Sequence, residues 1–243
     1  MKKIFYNLFL LIFFILIFFI TLLSTKGIET NRFNNLISKK INYTNNNLNL
    51  ELSTVKFKLD LKEVSLFLET EEPKIDYRNM IIPAKNIKVY IDFTSLIKSD
   101  PNIKKIILIV NQLDIEQLKK ISITLKPSNL TSFVNNKIKE GKLNTELEIY
   151  LDNNNLFTNF IARGTVSNLK TELISNIDLN KINFSFFADK TDVLIKDISG
   201  ETGPIKIKEG DLKLKLSSDI SIEANFISNI KYNNKITNYK NLI

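Results

Sequence analysis

The sequence predicts a mainly β protein: a long antiparallel meander sheet that follows an N-terminal transmembrane helix, with one or two short amphipathic helices. Three observations predict it. A predominantly apolar run of twenty residues follows the first three residues. From residue 48 onward, apolar and polar side chains alternate with a period of two, which is typical of strands with one covered face. The links between these stretches are short, and short links join antiparallel neighbours.

Composition excludes several classes of function. The chain of 243 residues contains neither cysteine nor histidine, which removes disulfide frameworks, thiolate metal sites and the histidine-dependent catalytic triads. Its net charge is +8, but the lysines are spread along the predicted strands among acids and amides. That distribution is typical of solvated strand faces rather than of a nucleic-acid interface. We therefore expect no metal, no cofactor and no nucleic-acid partner.

The first element is a predicted membrane anchor. A helix over Ile4 to Leu23 spans about 30 Å, the thickness of the hydrocarbon layer. A cleaved signal peptide is the competing interpretation, but its apolar region is shorter and ends in small residues, whereas this run leads into STKG. Lys2 and Lys3 precede the span, so the positive-inside rule places the N-terminus in the cytoplasm, although Lys26 on the far side reduces the asymmetry.

The predicted anchor divides the chain into two domains. Residues 1–26 form the cytoplasmic tip and the transmembrane segment. Residues 27–243 lie across the membrane and show neither a repeat of fixed period nor a linker rich in Pro, Gly or Ser, so they are predicted to form a single β domain. Whether that domain continues beyond the last residue is left open.

Two short amphipathic helices are predicted from apolar stripes at helical spacing. The first follows the anchor, and its stripe consists of Phe33, Leu36, Ile37 and Ile41. The second follows Pro127, and its stripe consists of Leu130, Phe133, Val134 and Ile138. Gly141 stands where a C′ glycine would end the second helix.

The remaining elements are strands joined by short turns. Gly200 to Pro204 and Glu209 to Asp211 carry the residues typical of such turns. The predicted strands are Leu48 to Leu52, Val55 to Leu61, Val64 to Leu68, Lys74 to Tyr77, Ile87 to Phe93, Ile103 to Val110, Leu143 to Leu151, Phe157 to Val166, Ile182 to Ala188, Val193 to Ile198, Ile205 to Ile207, Leu212 to Leu216 and Ile220 to Tyr232.

The apolar face of these strands needs a cover, because two short helices are too small to bury it. The sheet can cover itself as a sandwich or barrel, or it can curl into a trough that a ligand fills. On physical grounds alone, self-covering is the commoner solution. The few glycines, the absence of tryptophan and the many Leu and Ile residues on long strands favour a trough, whereas the 17 phenylalanines favour a closed sandwich.

The residues resemble a known family. A single-span anchor and a short amphipathic helix precede VYIDFTSLIKSDPNIKKIILIVNQLDI, which looks like the start of AsmA-like proteins of Gram-negative envelopes. The strand Ile87 to Phe93 runs into Ser95-Leu96-Ile97, and Ile103, Ile106 and Leu108 follow after a short gap. The segment Ile161 to Val166, IARGTV, fits the pattern more loosely.

This resemblance implies a periplasmic, taco-like β-groove in which phospholipid acyl chains move along an apolar floor between two membranes. The chain is then an inner-membrane protein whose partners are lipid acyl chains and the inner membrane, with a role in outer-membrane biogenesis. Ten strands at 4.8 Å spacing give a trough about 50 Å long. The floor is expected at Leu50, Val55, Phe57, Leu59, Val89, Ile91, Leu147, Ile149, Phe184 and Phe186.

Two other functions remain open. One is a non-enzymatic envelope scaffold with a closed sandwich, in which the edge strand Ile220 to Tyr232 pairs with a further envelope protein. The other is a single-span component of lipopolysaccharide export. We expect no enzyme and no catalytic residue. The Ser-x-x-K spacing of a serine nucleophile and lysine base occurs four times without its partner motifs, at Ser53–Lys56, Ser95–Lys98, Ser167–Lys170 and Ser228–Lys231.

Overall fold

The computed structural model describes residues 2–30, 34, 38–39, 48–92, 102–154, 156–174, 177–216 and 220–230. The apolar stripe predicted at Phe33, Leu36, Ile37 and Ile41 lies outside these residues. So do Ser95-Leu96-Ile97 of the family resemblance and Tyr232 at the end of the last predicted strand.

Three helices and fourteen strands are described. The helices are α1 (Lys2–Thr25), α2 (Ile115–Thr124) and α3 (Asn129–Asn136). The strands are β1 (Ile28–Thr30), β2 (Leu48–Glu51), β3 (Val55–Asp60), β4 (Ser65–Glu71), β5 (Lys74–Tyr77), β6 (Met80–Ile91), β7 (Ile103–Val110), β8 (Leu113–Asp114), β9 (Ile138–Leu151), β10 (Phe157–Ile174), β11 (Ile177–Ala188), β12 (Asp192–Thr202), β13 (Ile205–Lys215) and β14 (Ser221–Ile230).

The predicted fold class is confirmed. The chain is mainly β, and its fourteen described strands belong to one long antiparallel meander that is not closed. The main path runs β1-β3-β4-β6-β7-β9-β10-β11-β12-β13-β14, while β2 pairs with β5, β5 also pairs with β6, and β8 pairs with β9. The described chain divides into two compact units. The first unit is Met1–Ile109 with Glu148–Asn159, and the second is Val110–Leu147 with Phe160–Ile243.

In the first unit, the N-terminal helix continues directly into the sheet. The segment Lys3–Thr25 is long and apolar enough to cross a membrane. The helix ends at a left-handed glycine, Gly27, with φ of +74°, and the N–H of Gly27 donates to the carbonyl of Leu22 at 2.9 Å. The next three residues are β1, which pairs antiparallel with β3 from Ile28↔Phe57 to Thr30↔Val55. The helix and the sheet are therefore joined by a single helix-capping turn.

The first unit buries its apolar face under a second layer of strands. Strand β6 pairs with β5 along its first half and with β4 along its second half. Its apolar positions change from even to odd numbers at Lys85 and Asn86, between these halves. Residues from both halves of β6 belong to one buried cluster. The strands β2 and β5, with the start of β6, therefore cover β3, β4 and the end of β6. Its buried residues are Leu50, Val55, Leu68, Ile75, Ala84, Ile87, Val89, Ile91 and Ile103.

The opposite face of the first unit carries a charged group around Glu69. Its carboxylate pairs with Lys58 and lies 3.9 Å from Lys88, while Asn86 donates a hydrogen bond to it at 2.7 Å. Burial raises the pKa of Glu69, but these hydrogen bonds and charges outweigh it, and the net pKa lies below the ordinary value. Glu69 therefore stays ionised although it is buried.

In the second unit, two helices precede the long strands. Each begins with a capping box, at Asp114 for α2 and at Ser128 for α3. The helices contact each other, and Ser122 of α2 donates a hydrogen bond to Asn135 of α3 at 2.9 Å. The predicted second helix is confirmed over Asn129–Asn136, but the placement of Gly141 at its end is wrong, because β9 begins at Ile138.

Strands β10 to β13 are longer than predicted, whereas β14, at Ser221–Ile230, lies within the predicted Ile220 to Tyr232. The predicted turn at Glu209 to Asp211 is wrong, because these residues lie inside β13. Gly200, where a turn is predicted, lies inside β12, and the chain reverses at Gly203 and Pro204 instead. The glycines therefore predict breaks at positions where the strands are continuous.

Candidate functional site

The structure separates the ten predicted floor residues into groups. Five of them, Leu50, Val55, Phe57, Val89 and Ile91, belong to or pack against the buried cluster of the first unit. Leu59 and Ile149 are half-buried residues of the same unit, and Leu147, Phe184 and Phe186 are half-buried residues of the second. Val55 is only 1% exposed, so in this conformation its side chain contacts protein rather than solvent. That these residues contact a lipid stays a prediction.

The second unit carries an in-register apolar face. Side chains that are directly opposite on neighbouring strands lie on the same face of a sheet. One row runs Ala162↔Ala188↔Val193↔Leu214↔Ile222 across β10 to β14. The next runs Gly164↔Phe186↔Ile195↔Leu212↔Ala224. Four strand spacings give each row a length of about 19 Å. We call these two rows, together with Val166, Phe184, Gly210 and Phe226, the apolar face.

The other face of the same strands is mostly polar and also carries Phe187 and Leu194. The row between the two apolar rows runs Arg163↔Phe187↔Leu194↔Lys213↔Glu223. Arg163 also pairs with Glu146 of β9, which places Leu147, the next residue in β9, on the opposite side, with the apolar face. The sheet of the second unit is therefore amphipathic.

Bulges keep the apolar residues on one side along the long strands. Asn168, Lys181 and Asp197 have positive φ angles between 51° and 57° and lie at register shifts in β10, β11 and β12. The Asn183 side chain accepts from the N–H of Asn168 and donates to the carbonyl of Lys181, at 3.0 and 2.9 Å. Each bulge adds one residue to its strand, so the apolar parity changes in the sequence while the face stays continuous.

Glycines in the second unit lie under apolar side chains of neighbouring strands. A Cβ atom at Gly164 would lie 3.0 Å from the ring of Phe186 and 2.0 Å from the carbonyl oxygen of Asn144. A Cβ at Gly210 would lie 2.3 Å from the ring of Phe226. In the same way, Leu169 lies over Gly141 and Ile182 lies over Gly200. The aromatic and aliphatic side chains thus lie flat across the sheet, an arrangement that compensates for glycine in strands.

The apolar face has little cover among the residues that the structure describes. In that part of the chain, fourteen apolar side chains are buried, and only Leu113 and Ile182 of these belong to the second unit. The face residues on β10 to β13 are half-buried, apart from the glycine Gly210, and every residue of β14 is exposed. About 25 cal/mol is lost for each Å² of apolar surface left in water. An occupant that covers this face would therefore gain free energy.

Three described residues of the serine–lysine pairs, Ser53, Lys56 and Lys170, contact glutamates. Ser53 donates to the carbonyl of Glu71 at 3.3 Å, and Lys56 pairs with the carboxylate of Glu71 at 3.2 Å. Both line a polar cavity of about 720 Å³ in the first unit. Lys170 pairs with Glu140 at 3.3 Å. The remaining pairs include Ser95, Lys98 and Lys231, which lie outside the described residues.

No protein-family model matches the chain, and comparisons with curated proteins and with solved structures gave no significant match.

Proposed function

We propose that this chain is a membrane-anchored lipid-binding protein whose apolar face holds phospholipid acyl chains. One observation carries the proposal. Two apolar rows cross five consecutive strands in register, and among the described residues no second layer like that of the first unit covers them. Each methylene that moves from water to this surface contributes about 0.8 kcal/mol. Ten such groups are therefore enough to hold a lipid without any catalytic residue.

The neighbouring rows are alike, which favours movement of the chain along the face. A bound acyl chain exchanges one apolar row for another that is equally apolar, so no single position traps it. The polar head group stays in water because the binding surface is one side of a sheet and not an enclosed cavity.

The anchor and the family resemblance support the cellular setting of the proposal. The helix Lys3–Thr25 spans the inner membrane once, with the N-terminus in the cytoplasm and the sheet in the periplasm. In this setting the protein conveys phospholipid toward the outer membrane, as the resemblance to AsmA-like proteins implies.

Two matched variants test the proposal. Leu212→Glu introduces a charge on the apolar face, and Leu194→Glu introduces the same charge on the polar face. The full chain is purified in mild detergent, and mass spectrometry measures the phospholipid bound per protein. A carboxylate in contact with hydrocarbon costs at least about 1.4 kcal/mol, so Leu212→Glu should retain about tenfold less lipid than the unmodified chain.

Leu194→Glu should retain the lipid of the unmodified chain. Equal lipid in both variants would contradict the proposal, as would the recovery of the unmodified chain without any lipid. The mass of the bound lipid separates phospholipid transport from lipopolysaccharide export.

A scaffolding function is the second candidate, and strand β14 favours it. This strand ends the sheet order, and all of its ten residues are exposed, among them Ile222, Phe226, Ile227 and Ile230. An exposed apolar edge strand is a template for strand addition by another chain. A lipid-free protein with a strand-paired partner at β14 would favour scaffolding over lipid binding.

A further inference from the structure

One end of the first unit lies close to the end of the anchor helix. Strand β1 runs antiparallel to β3, so the start of β1 lies beside the end of β3. The end of α1, which directly precedes β1, therefore lies near Leu59 and Asp60. The β3–β4 turn at residues 61–64 therefore faces the end of the apolar span. Leu23, in the last turn of α1, lines a cavity together with Val64 of this turn.

The β3–β4 turn carries exposed apolar side chains at that end. Leu61 is 59% exposed and Val64 is 84% exposed. Val64 also has a φ of +47°, which is strained for a β-branched residue. Apolar side chains at the tip of a turn are favourable where the tip touches a bilayer, and this tip lies beside the end of a span. The cavity is thus placed where lipid head groups meet water.

The cavity has a volume of about 690 Å³ and two ion pairs in its lining. Lys105 pairs with Glu63 at 2.6 Å, and Lys104 pairs with Asp92 at 3.1 Å. The side chains that line the cavity therefore offer two cations and two carboxylates. Tyr90 and Tyr150 also line it, together with Leu23 and Val64.

Lys105 is held in a fixed position. Its side chain is 8% exposed, and its ammonium lies 4.3 Å from the ring centre of Tyr90 and 5.9 Å from that of Tyr150. The Tyr90 hydroxyl donates to Asp60 at 2.9 Å. Burial raises the pKa of Tyr90 and the carboxylate of Asp60 raises it further, so the hydroxyl stays protonated. A buried ammonium between two aromatic rings is preorganised to bind an anionic oxygen.

We propose that this cavity binds the zwitterionic head group of a phospholipid, with the phosphate on Lys105 and Lys104 and the ammonium on Glu63 and Asp92. A bare anion that bound the lysines would displace the two carboxylates from their ion pairs. A zwitterion supplies an ammonium to those same carboxylates, so all charges stay paired. The inference rests on α1 spanning the bilayer, and it does not depend on the apolar face of the second unit.

Native mass spectrometry of the full chain in detergent tests the proposal with three probes. The probes are dioctanoyl phosphatidylethanolamine, dioctanoylglycerol, which has the same chains without a head group, and inorganic phosphate. Lys105→Met and Lys104→Met each remove one cation from the cavity. Each should weaken binding of the phospholipid about tenfold, the loss typical of one charge-assisted hydrogen bond, and leave binding of dioctanoylglycerol unchanged.

Lys88→Met is the matched control, because Lys88 also lies over an aromatic ring, that of Phe67, but does not line the cavity. It should bind the phospholipid like the unmodified chain. If Lys105→Met lowers the melting temperature, Lys104→Met decides the result, because its side chain is 64% exposed. Unchanged phospholipid binding in Lys104→Met would overturn the proposal.

The remaining measurements identify which molecule supplies the phosphate. They also distinguish binding in the cavity of the first unit from binding on the apolar face of the second. Competition by inorganic phosphate as strong as that by the phospholipid would overturn the assignment to a lipid. Failure of the acyl-binding proposal looks different, because dioctanoylglycerol would then bind Leu212→Glu as well as it binds the unmodified chain.

Discussion

The two units use the same sequence pattern and bury it differently. Both alternate apolar and polar side chains along antiparallel strands. In the first unit, β6 is shared by two groups of strands, and β2 and β5 cover the apolar face. In the second unit, β10 to β14 succeed one another in a simple meander, and twelve of the fourteen buried apolar side chains described lie elsewhere. The alternation therefore requires a cover without specifying whether protein provides it.

Loop and strand lengths account for this difference. The turn at Arg78 and Asn79 reverses the chain into a strand of twelve residues, long enough to serve both layers of the first unit. The hairpins of the second unit join strands of similar length, and bulges at the register shifts keep their apolar residues on one face. A simple meander of this kind contains no strand that folds back over its own face.

A leucine-to-glutamate substitution should change the unfolding free energy much more in the first unit than in the second, and this is the largest difference that we expect. Leu68 is 2% exposed, and Leu68→Glu places a carboxylate without a partner in the buried cluster. We expect it to destabilise the first unit by at least about 3 kcal/mol. Leu212→Glu, on the half-buried apolar face, should change the unfolding free energy by less than about 1 kcal/mol. Urea denaturation followed by circular dichroism measures both. Similar losses would mean that the two faces are equally covered.

A smaller effect is expected from the glycines of the apolar face. A Cβ atom at Gly164 meets the backbone of Asn144, whereas one at Gly210 meets only the exposed side chain of Phe226 and, at 3.3 Å, Ile198. Gly164→Ala should therefore cost about 1–3 kcal/mol of stability, the range for overpacking. Gly210→Ala should cost less, because the ring can move on the edge strand. Thermal unfolding compares them, and a greater loss from Gly210→Ala would contradict this packing.

The smallest predicted effect is the pH dependence of the first unit. The pKa of Glu69 is depressed below its ordinary value of 4.5, so the charged pairs with Lys58 and Lys88 contribute stability above about pH 4.5. That contribution is lost as the pH falls through the lower pKa of the folded state. Glu69→Gln should flatten the pH dependence of unfolding between pH 5 and the acid limit. An unchanged profile would show that Glu69 contributes nothing to it.

Much of the first unit could be predicted from the sequence, because its signals are local. The strands Lys74 to Tyr77 and Ile103 to Val110 have the bounds that their residues predict. The N-terminal apolar helix, Lys2–Thr25, extends two residues beyond the predicted Ile4 to Leu23 at each end. The cover over the buried cluster could not be predicted. It depends on the pairing of Met80 to Pro83 with β5, and the residues from 80 to 83 do not alternate as a half-buried strand does.

In the second unit, glycine positions do not predict where strands and helices end. Gly141, Gly200 and Gly210 have the local context of a helix end or a turn, yet each lies inside a strand. At each of them, a side chain from a neighbouring strand, Leu169, Ile182 or Phe226, lies against the position that a Cβ atom would take. Those neighbours are between 16 and 28 positions distant in the sequence, so a reading of local residues does not connect them.

Site-specific photo-cross-linking along β13 in living cells tests the central claim most directly. A photoreactive phenylalanine analogue is placed in turn at positions 212, 213, 214 and 215, and lipid adducts are identified by mass spectrometry. Leu212 and Leu214 lie on the apolar face, and Lys213 and Lys215 lie on the other. The proposed lipid-binding face predicts adducts that alternate with the strand, present at 212 and 214 and missing at 213 and 215. Lipid adducts at none of the four positions, or equally at all four, would contradict it.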